Sequence, residues 1–375
     1  MTLDGVAVSG RTLGSVPDLV RALGQVKVAA ARANRDAGVI DDATASAIEA
    51  AAGALISDDL LPADLPADLL TGGGSIAVHT NINAWVAQRA GMGVAEVSTS
   101  QSTADVCHTA HRLAVVAAWT ELDRAGREVV TGLRAVAARF ESIPTLARTC
   151  LRDAMVTPLS TIFSGSADAL DRRREALATA VTPLHQVVMG ATVIGSGDGA
   201  PPAYRAAVVS HLASVTGLAL EPHGAPASAL QHGDDLAALS AAVVQLSRPL
   251  LKLATDLRLL GSGPEGGFGE LVLPHVMDGS SFFAGKSNPV VPETVIQACL
   301  QIRGLDHTVQ LAADRAELYL QVFDGLIAVD VLDEIALLTR CFGLLDRLVL
   351  TDLVADEARC RQLASFAAPT KADRP

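Results

Sequence analysis

The segment 279–293, GSSFFAGKSNPVVPE, concentrates residue types that could carry out chemistry. Two adjacent serines, Ser280 and Ser281, precede a lysine, Lys286, in a stretch rich in glycine and proline. A serine hydroxyl is a poor base unless a nearby cation and backbone N–H groups stabilise its alkoxide. Because Lys286 can supply that cation, the segment predicts a loop that closes over a site and removes a proton. The pattern alone is equally compatible with a solvated structural loop.

Two glycine patterns and a histidine pair imitate other kinds of site. Gly279 and Gly285 are separated by five residues, whereas a phosphate-binding P-loop requires four. The G-x-G-x-x-G pattern at 261–266 follows a predicted helix and not a strand, which favours a helix C-terminal turn over a dinucleotide site. His108 and His111 have no third ligand at a characteristic spacing, which favours packed histidines over a metal site.

Several ordered blocks of the chain resemble the signature motifs of the fumarase/aspartase superfamily. The loop is similar to G-S-S-x-M-P-x-K-x-N-P, with Phe283 at the methionine and Ala284 at the first proline. The resemblance covers about residues 11–360 and is closest to the class II fumarase and aspartate ammonia-lyase branch. The other matching blocks occur in the family order at 80–91, 100–114, 148–170, 189–197 and 257–271.

The resemblance implies an all-α fold, a long-helix bundle that forms the core of a homotetramer with each active site assembled from three subunits. It implies a carbon–nitrogen or carbon–oxygen lyase that acts on a succinyl or aspartate-type dicarboxylate. A loop serine removes a proton next to a carboxylate, an aci-carboxylate forms, and the neighbouring group leaves to give fumarate. No metal or organic cofactor is implied.

The family roles transfer to this chain position by position. Ser280 resembles the catalytic base, Lys286 a ligand of the substrate carboxylate, and Glu293 the glutamate that hydrogen-bonds the family's active-site histidine. Cys150 occupies the position of that histidine and is included in the predicted catalytic set. The other positions implied to line the substrate site are Ser281, Asn288, Ser102, Thr103, Ala104, Thr149, Val78, His79 and Asn81.

The departures from the family cluster around the leaving group and the second carboxylate. Cys150 replaces a histidine, Ala104 an asparagine, and Val78 a threonine, with His79 adjacent as a potential substitute. Cysteine can neither carry an imidazolium charge nor donate from two nitrogens, so Glu293 loses its expected partner. The changes predict a lyase with an altered, less polar leaving-group pocket. Two alternatives are a non-catalytic structural or binding relative, and an ordinary fumarase or aspartase that tolerates the changes.

Helical periodicity runs through almost the whole chain and supports the all-α prediction. Glu270–Leu273 is the only strand candidate. The stretch 306–350 has no proline and predicts a continuous helix; about 40 helical residues would span about 60 Å. Its apolar residues cover more than one stripe, which predicts packing against other subunits; the alternative is two helices broken at Gly325 in a monomer. The other helices are predicted at 17–37, 43–56, 80–90, 105–140, 158–187, 203–217 and 234–260.

Composition limits the partners and the compartment. The chain has 375 residues, half of them hydrophobic, and a formal net charge of −12, which argues against nucleic acid. The sequence contains no apolar run of about 20 residues that is free of charges, so no membrane span is predicted. Five dispersed cysteines without a C-x-x-C pair predict a reduced, cytoplasmic protein. Three parts are predicted: an N-terminal helical domain at 1–99, the central bundle at 100–357, and a remnant of the family's C-terminal domain at 358–375, ending in a disordered tail.

Overall fold

The computed structural model describes residues 6–57, 64–277, 279 and 281–368. Ser280 and the predicted tail from residue 369 onward lie outside the described residues. The described helices are α1 (Pro17–Asp36), α2 (Asp42–Gly53), α3 (Ile76–Ala90), α4 (Val94–Val97), α5 (Thr103–Phe140), α6 (Ser160–Val181), α7 (Pro202–Thr216), α8 (Pro226–Gln231), α9 (Asp234–Leu260), α10 (Val290–Ala313), α11 (Asp324–Leu345) and α12 (Glu357–Ala364). The described strands are β1 (Pro144–Thr149), β2 (Arg152–Pro158), β3 (Gln186–Val187), β4 (Glu221–Pro222), β5 (Leu271–Val272) and β6 (Val354–Ala355).

Local sequence signals account for many helix ends. α1 begins with a proline in its first turn, where the missing N–H costs nothing. α2 is capped by Asp41, whose carboxylate accepts the Thr44 backbone N–H at 2.8 Å. α9 ends at Leu260, and the Gly261 N–H bonds the Leu257 carbonyl, as predicted for the G-x-G-x-x-G pattern.

One compact unit comprises residues 1–120, 179–241 and 305–334. In it α1 packs against α2 and α7, and β3 pairs with β4 in parallel. The buried face of α1 shows the three- and four-residue spacing of the sequence. Its members include Leu19, Leu23, Val26, Ala30 and Ala33.

The other compact unit comprises residues 121–178, 242–304 and 335–375. In it β1 and β2 form an antiparallel hairpin against which α12 packs, and β5 pairs antiparallel with β6. The segment Glu270–Leu273, predicted as a strand, contains β5. The predicted domain boundaries at residues 99 and 357 stay predictions.

The prediction of one continuous helix over 306–350 is wrong. α10 ends at Ala313 and α11 begins at Asp324, and the connection contains Leu318 in a left-handed conformation, φ 50°, with 88% of its surface exposed. The alternative break at Gly325 is misplaced as well, because Gly325 lies in the first turn of α11. A Cβ at Gly325 would lie 2.6 Å from Ser75 Oγ, so glycine is required there for close packing.

The Gln321 side chain explains how the chain breaks without proline. Its Nε2 donates to the Ala313 carbonyl at the end of α10, at 3.1 Å, and its Oε1 accepts the Phe323 N–H before α11, at 3.0 Å. One amide thus satisfies backbone groups at both helix ends, which otherwise need external partners. Its own N–H bonds the Leu230 carbonyl at 2.7 Å.

The β1–β2 hairpin contradicts the expectation that Glu270–Leu273 is the only strand candidate. Thr149 pairs with Arg152, so the hairpin turn consists of Cys150 and Leu151. Both have positive φ, 54° and 58°, as a type I′ turn requires. The pattern was hard to detect because β2 is largely exposed and carries no apolar alternation.

α9 is the one helix in the described ranges that is long and apolar enough to cross a membrane by length and composition, and 56% of its most apolar window is buried within the protein. Core helices meet the same criterion. Pro249 lies inside α9 without ending it.

Candidate active site

A buried polar cluster surrounds His79 in the first unit. Lys27 Nζ lies 3.1 Å from His79 Nε2 and 2.7 Å from Gln101 Oε1. His79 Nδ1 lies 2.8 Å from Thr103 Oγ1, and Asn83 Nδ2 lies 3.2 Å from His79 Nε2. We call these five residues the His79 cluster. It joins α1, α3 and the first residue of α5.

Burial determines the charge of this cluster. Lys27 is completely buried, and this burial lowers its pKa to about 7, although Cys107 and Asp105 oppose the shift. Burial, and secondarily the charge of Lys27, lowers the pKa of His79 to about 2. His79 is therefore a neutral imidazole at neutral pH, whereas Lys27 changes its charge there.

Asp105 fixes the start of α5. Its carboxylate accepts the backbone N–H of Ser102 at 2.8 Å and, from another segment, the N–H groups of Gly190 and Thr192 at 3.1 Å each. Burial raises the pKa of Asp105 to about 6, against these hydrogen bonds. Ser102 and Thr103, both predicted substrate ligands, are thus held on a fixed backbone.

The other predicted site residues of this unit pack against the protein or form hydrogen bonds within it. Ala104 is buried in an apolar cluster with Val188, Ala229 and Leu230. Val78 is buried on α3, and Asn81 Oδ1 accepts the Ala67 N–H at 3.0 Å. Their substrate contacts stay predictions.

Thr149 and Cys150 lie at the exposed tip of the hairpin in the second unit. An ion pair holds β1 next to this tip: Arg148 Nη1 lies 2.8 Å from Glu270 Oε2, and the guanidinium lies 4.3 Å from the Phe268 ring centroid. Glu270 is completely buried and also accepts a hydrogen bond from Thr145. Arg148, Phe268 and Glu270 line a cavity of about 240 Å³.

The serine- and lysine-bearing loop closes on itself. Asn288 Nδ2 donates to the Gly279 carbonyl at 2.9 Å. A Cβ at Gly279 would lie 2.3 Å from the Lys286 carbonyl oxygen, so the two ends of the loop approach as only glycine allows. Ser281 and Lys286 are exposed between these ends. The Asn288 amide therefore has a structural bond in addition to its predicted role as a ligand.

Glu293, expected to have lost its family partner, pairs with arginine. Arg258 Nη2 lies 3.3 Å from Glu293 Oε1, and both side chains are partly exposed. No local pattern predicts this pair, because Arg258 lies on α9 and Glu293 on α10, far apart in the chain.

The two histidines of α5 are packed, as predicted. His108 Nε2 donates to the Ala229 carbonyl at 3.0 Å, and His111 Nδ1 lies 3.2 Å from Asp324. Among the residues that the structure describes, no group of three or more His, Cys, Asp or Glu is arranged to hold a metal ion.

Sequence reasoning did not single out Lys27. A signal existed, because Lys27 follows Leu23 by four residues on α1 and thus occupies a position with the spacing of the buried face. A lysine at such a position requires a buried partner. That partner, His79, is 52 residues away, and no local pattern identifies it.

This chain is similar in sequence to proteins of one enzyme family. The model of a family described as "Lyase" matches residues 11–304. Aspartate ammonia-lyase from Pseudomonas canavaninivorans is 34% identical over 378 residues, which cover 96% of this chain and 79% of that protein. The enzyme of the same name from Escherichia coli K12 is 31% identical over 361 residues, 92% of this chain and 76% of that protein.

Solved structures confirm the all-α long-helix bundle. A fumarate lyase:delta crystallin from Brucella melitensis, solved bound to cobalt, superposes with a TM-score of 0.92 at 32% identity, over 96% of this chain and 81% of that one. A class II fumarase from Schistosoma mansoni superposes with a TM-score of 0.91 over 96% of this chain and 81% of that one; at 23% identity it supports the fold alone.

Proposed function

We propose that this chain, which belongs to the lyase family and within it to the fumarase/aspartase superfamily, catalyses β-elimination from a succinyl or aspartate-type dicarboxylate and releases fumarate. The loop geometry carries the proposal. The Asn288–Gly279 bond closes a loop whose sequence contains Ser280 as the proposed base and Lys286 as the carboxylate ligand. Lys286 stabilises the doubly charged aci-carboxylate that follows proton removal.

We propose that the leaving group is larger or less polar than ammonia or water. Cys150 provides no imidazole at the exposed hairpin tip, and Ala104 offers a methyl group within an apolar cluster. Glu293 is paired with Arg258, whereas the family resemblance implies a histidine partner, which supports a changed pocket. N-substituted aspartates are the first substrates to screen.

The experiment is a panel assay for fumarate absorbance with L-aspartate, L-malate and N-substituted aspartates. Ser280→Ala should abolish turnover of the accepted compound, whereas Ser287→Ala, a serine of the same loop outside the proposed machinery, should retain it. Lys286→Ala should raise KM and lower kcat by about 10²–10³-fold, because the charge acts in both ground and transition states.

Two results would contradict the proposal. Full activity of Ser280→Ala would place the base elsewhere. A wild-type protein that turns over no compound of the panel would favour the non-catalytic relative.

We also propose a homotetramer, because the family resemblance implies sites shared between subunits, and a cytoplasmic location, because the five dispersed cysteines favour a reducing compartment. Sedimentation velocity tests this, and a monomer at micromolar concentration would contradict it.

A further inference from the structure

We propose that Lys27 and His79 are positioning residues that orient the Thr103 hydroxyl as a hydrogen-bond donor toward a substrate carboxylate. This inference rests on the proposed function, and it concerns residues that touch no reacting atom. It begins with the direction of each hydrogen bond in the His79 cluster.

The direction is set by the lysine. A charged lysine has three donors and no acceptor, so His79 Nε2, at 3.1 Å from Lys27 Nζ, must accept. Asn83 Nδ2, at 3.2 Å, is a second donor directed at the same nitrogen. Gln101 Oε1 accepts from Lys27 at 2.7 Å and holds the ammonium in place.

The ring then transmits this direction. A neutral imidazole carries one proton, and with Nε2 accepting, that proton is on Nδ1. Nδ1 therefore donates to Thr103 Oγ1 at 2.8 Å. Since Thr103 receives this hydrogen bond, its own hydroxyl proton is free for another acceptor. Within the described ranges, no further hydrogen bond is formed by Thr103 Oγ1.

The location of Thr103 suits an anionic acceptor. It is the first residue of α5, a helix of 38 residues, and the N-terminus of a helix favours negative charge. The backbone there is fixed by the Asp105 carboxylate. The resemblance independently implies that Thr103 binds the second carboxylate of the substrate.

The arrangement responds to pH because a deprotonated Lys27 gains a lone pair and no longer excludes a ring protonated on Nε2; Asn83 Nδ2 is then the remaining group that favours Nε2 as acceptor. Burial lowers the pKa of Lys27 to about 7, and Cys107 and Asp105 on α5 and His79 on α3 are the titratable groups that face it. The pKa of Asp105, raised by burial to about 6, adds a dependence at lower pH, and it is coupled to the lysine because each charge shifts the pKa of the other group. Fumarate binding should therefore weaken as pH rises through about 7.

The test measures fumarate binding by calorimetry between pH 6 and pH 8.5. Lys27→Met should weaken binding at pH 6.5 about ten- to hundredfold, the effect of one hydrogen bond to a charged group, and should remove the pH step near 7. Gln25→Met, a half-buried position two residues away on α1, is the matched control and should bind as the wild type does.

A conservative variant separates orientation from folding. His79→Asn places an amide nitrogen close to the position of Nδ1, keeps the donor to Thr103 and should retain binding without the pH step near 7. His79→Leu should lose binding to the same extent as Thr103→Val. A purely structural role would instead make the binding losses follow the losses of melting temperature across all variants.

The histidine ring gives a readout independent of any ligand. Nitrogen-15 spectra of the histidine-labelled protein at pH 6.5 should show His79 neutral and protonated on Nδ1. A ring protonated on Nε2, or a Lys27→Met variant that binds fumarate as tightly as the wild type, would overturn the inference. A wild-type protein that binds no fumarate would overturn the proposed function, and the substrate-directed role of Thr103 with it.

Discussion

Glu334 should act as a buried neutral acid, and replacing it with glutamine should make the chain more stable at alkaline pH. Ser240 Oγ lies 2.8 Å from both Asp306 Oδ1 and Glu334 Oε1. A hydroxyl has one proton and can donate to only one of the two carboxyl groups. The other must therefore carry a proton of its own and donate it to Ser240.

Glu334 is the protonated partner. It is completely buried, and its Oε2 has no hydrogen-bond partner among the described residues, whereas Asp306 also accepts from Gln310 at 2.8 Å. Burial, with Asp306, Asp330 and Asp333 nearby, raises the pKa of Glu334 to about 8, against the Ser240 hydrogen bond.

The sign of the pH effect follows from proton binding. The folded chain keeps the Glu334 proton up to about pH 8, whereas an unfolded chain releases it near the ordinary value of 4.5. Stability is therefore lost progressively as pH rises from 4.5 to 8. The full effect is on the order of 5 kcal/mol, at 1.36 kcal/mol per pH unit, of which about 3 kcal/mol falls between pH 6 and pH 9.

Glu334→Gln removes this loss, because an amide is neutral at every pH and can donate to Ser240. Urea denaturation followed by circular dichroism should give a variant whose advantage over the wild type grows by about 3 kcal/mol from pH 6 to pH 9. Glu317→Gln, an exposed glutamate, is the control and should show no such growth. Burial also raises the pKa of Asp330 to about 6. The resulting pH dependence of stability is common to the wild type, Glu334→Gln and Glu317→Gln. Parallel pH profiles for the wild type and Glu334→Gln would refute the reasoning.

Three further predictions concern the hairpin and the start of α5. Cys150→His should create or raise L-aspartate deamination, measured by fumarate absorbance. Its melting temperature should stay close to that of the wild type, since histidine tolerates positive φ better than most residues. Unchanged deamination would remove this position from the substrate site. Ala104→Asn should instead be destabilised by about 1–3 kcal/mol in a thermal scan, because its amide would enter an apolar cluster. Arg148→Ala should be destabilised by about 3–5 kcal/mol, since it leaves Glu270 buried and unpaired. Adding Glu270→Gln should recover part of that loss in the same urea titration, and equal stability of the single and double variants would contradict the ion-pair argument.

Local patterns determined how far the fold could be predicted from sequence. Helix positions followed from apolar spacing, because this signal involves residues within one or two turns. The break after Ala313 was missed because its cause, the Gln321 side chain, acts through geometry and not through a helix-breaking residue type. The β1–β2 hairpin was missed because an exposed strand carries little apolar alternation.

The candidate site shows the same limit. The motif residues of the loop could be named from their order alone, but the Lys27–His79 contact and the Arg258–Glu293 ion pair join segments far apart in the chain. Such pairs depend on tertiary packing. The sequence does indicate that such a partner is needed, because a lysine on a buried helix face must be paired. The identity of the partner is seen only in the folded structure.

The hairpin tip has a consequence for how this chain can diversify. Cys150 and Leu151 are exposed, and the strand pairing that holds the hairpin is made by backbone groups on either side of them. The turn constrains the backbone conformation and leaves the side-chain identity nearly unconstrained by packing. A lineage could therefore exchange the chemical group at position 150 in a single step while the scaffold folds as before. Proline, whose ring fixes φ at a negative value, and β-branched residues, which disfavour positive φ, would be filtered out. Other side chains could be sampled here with little effect on folding.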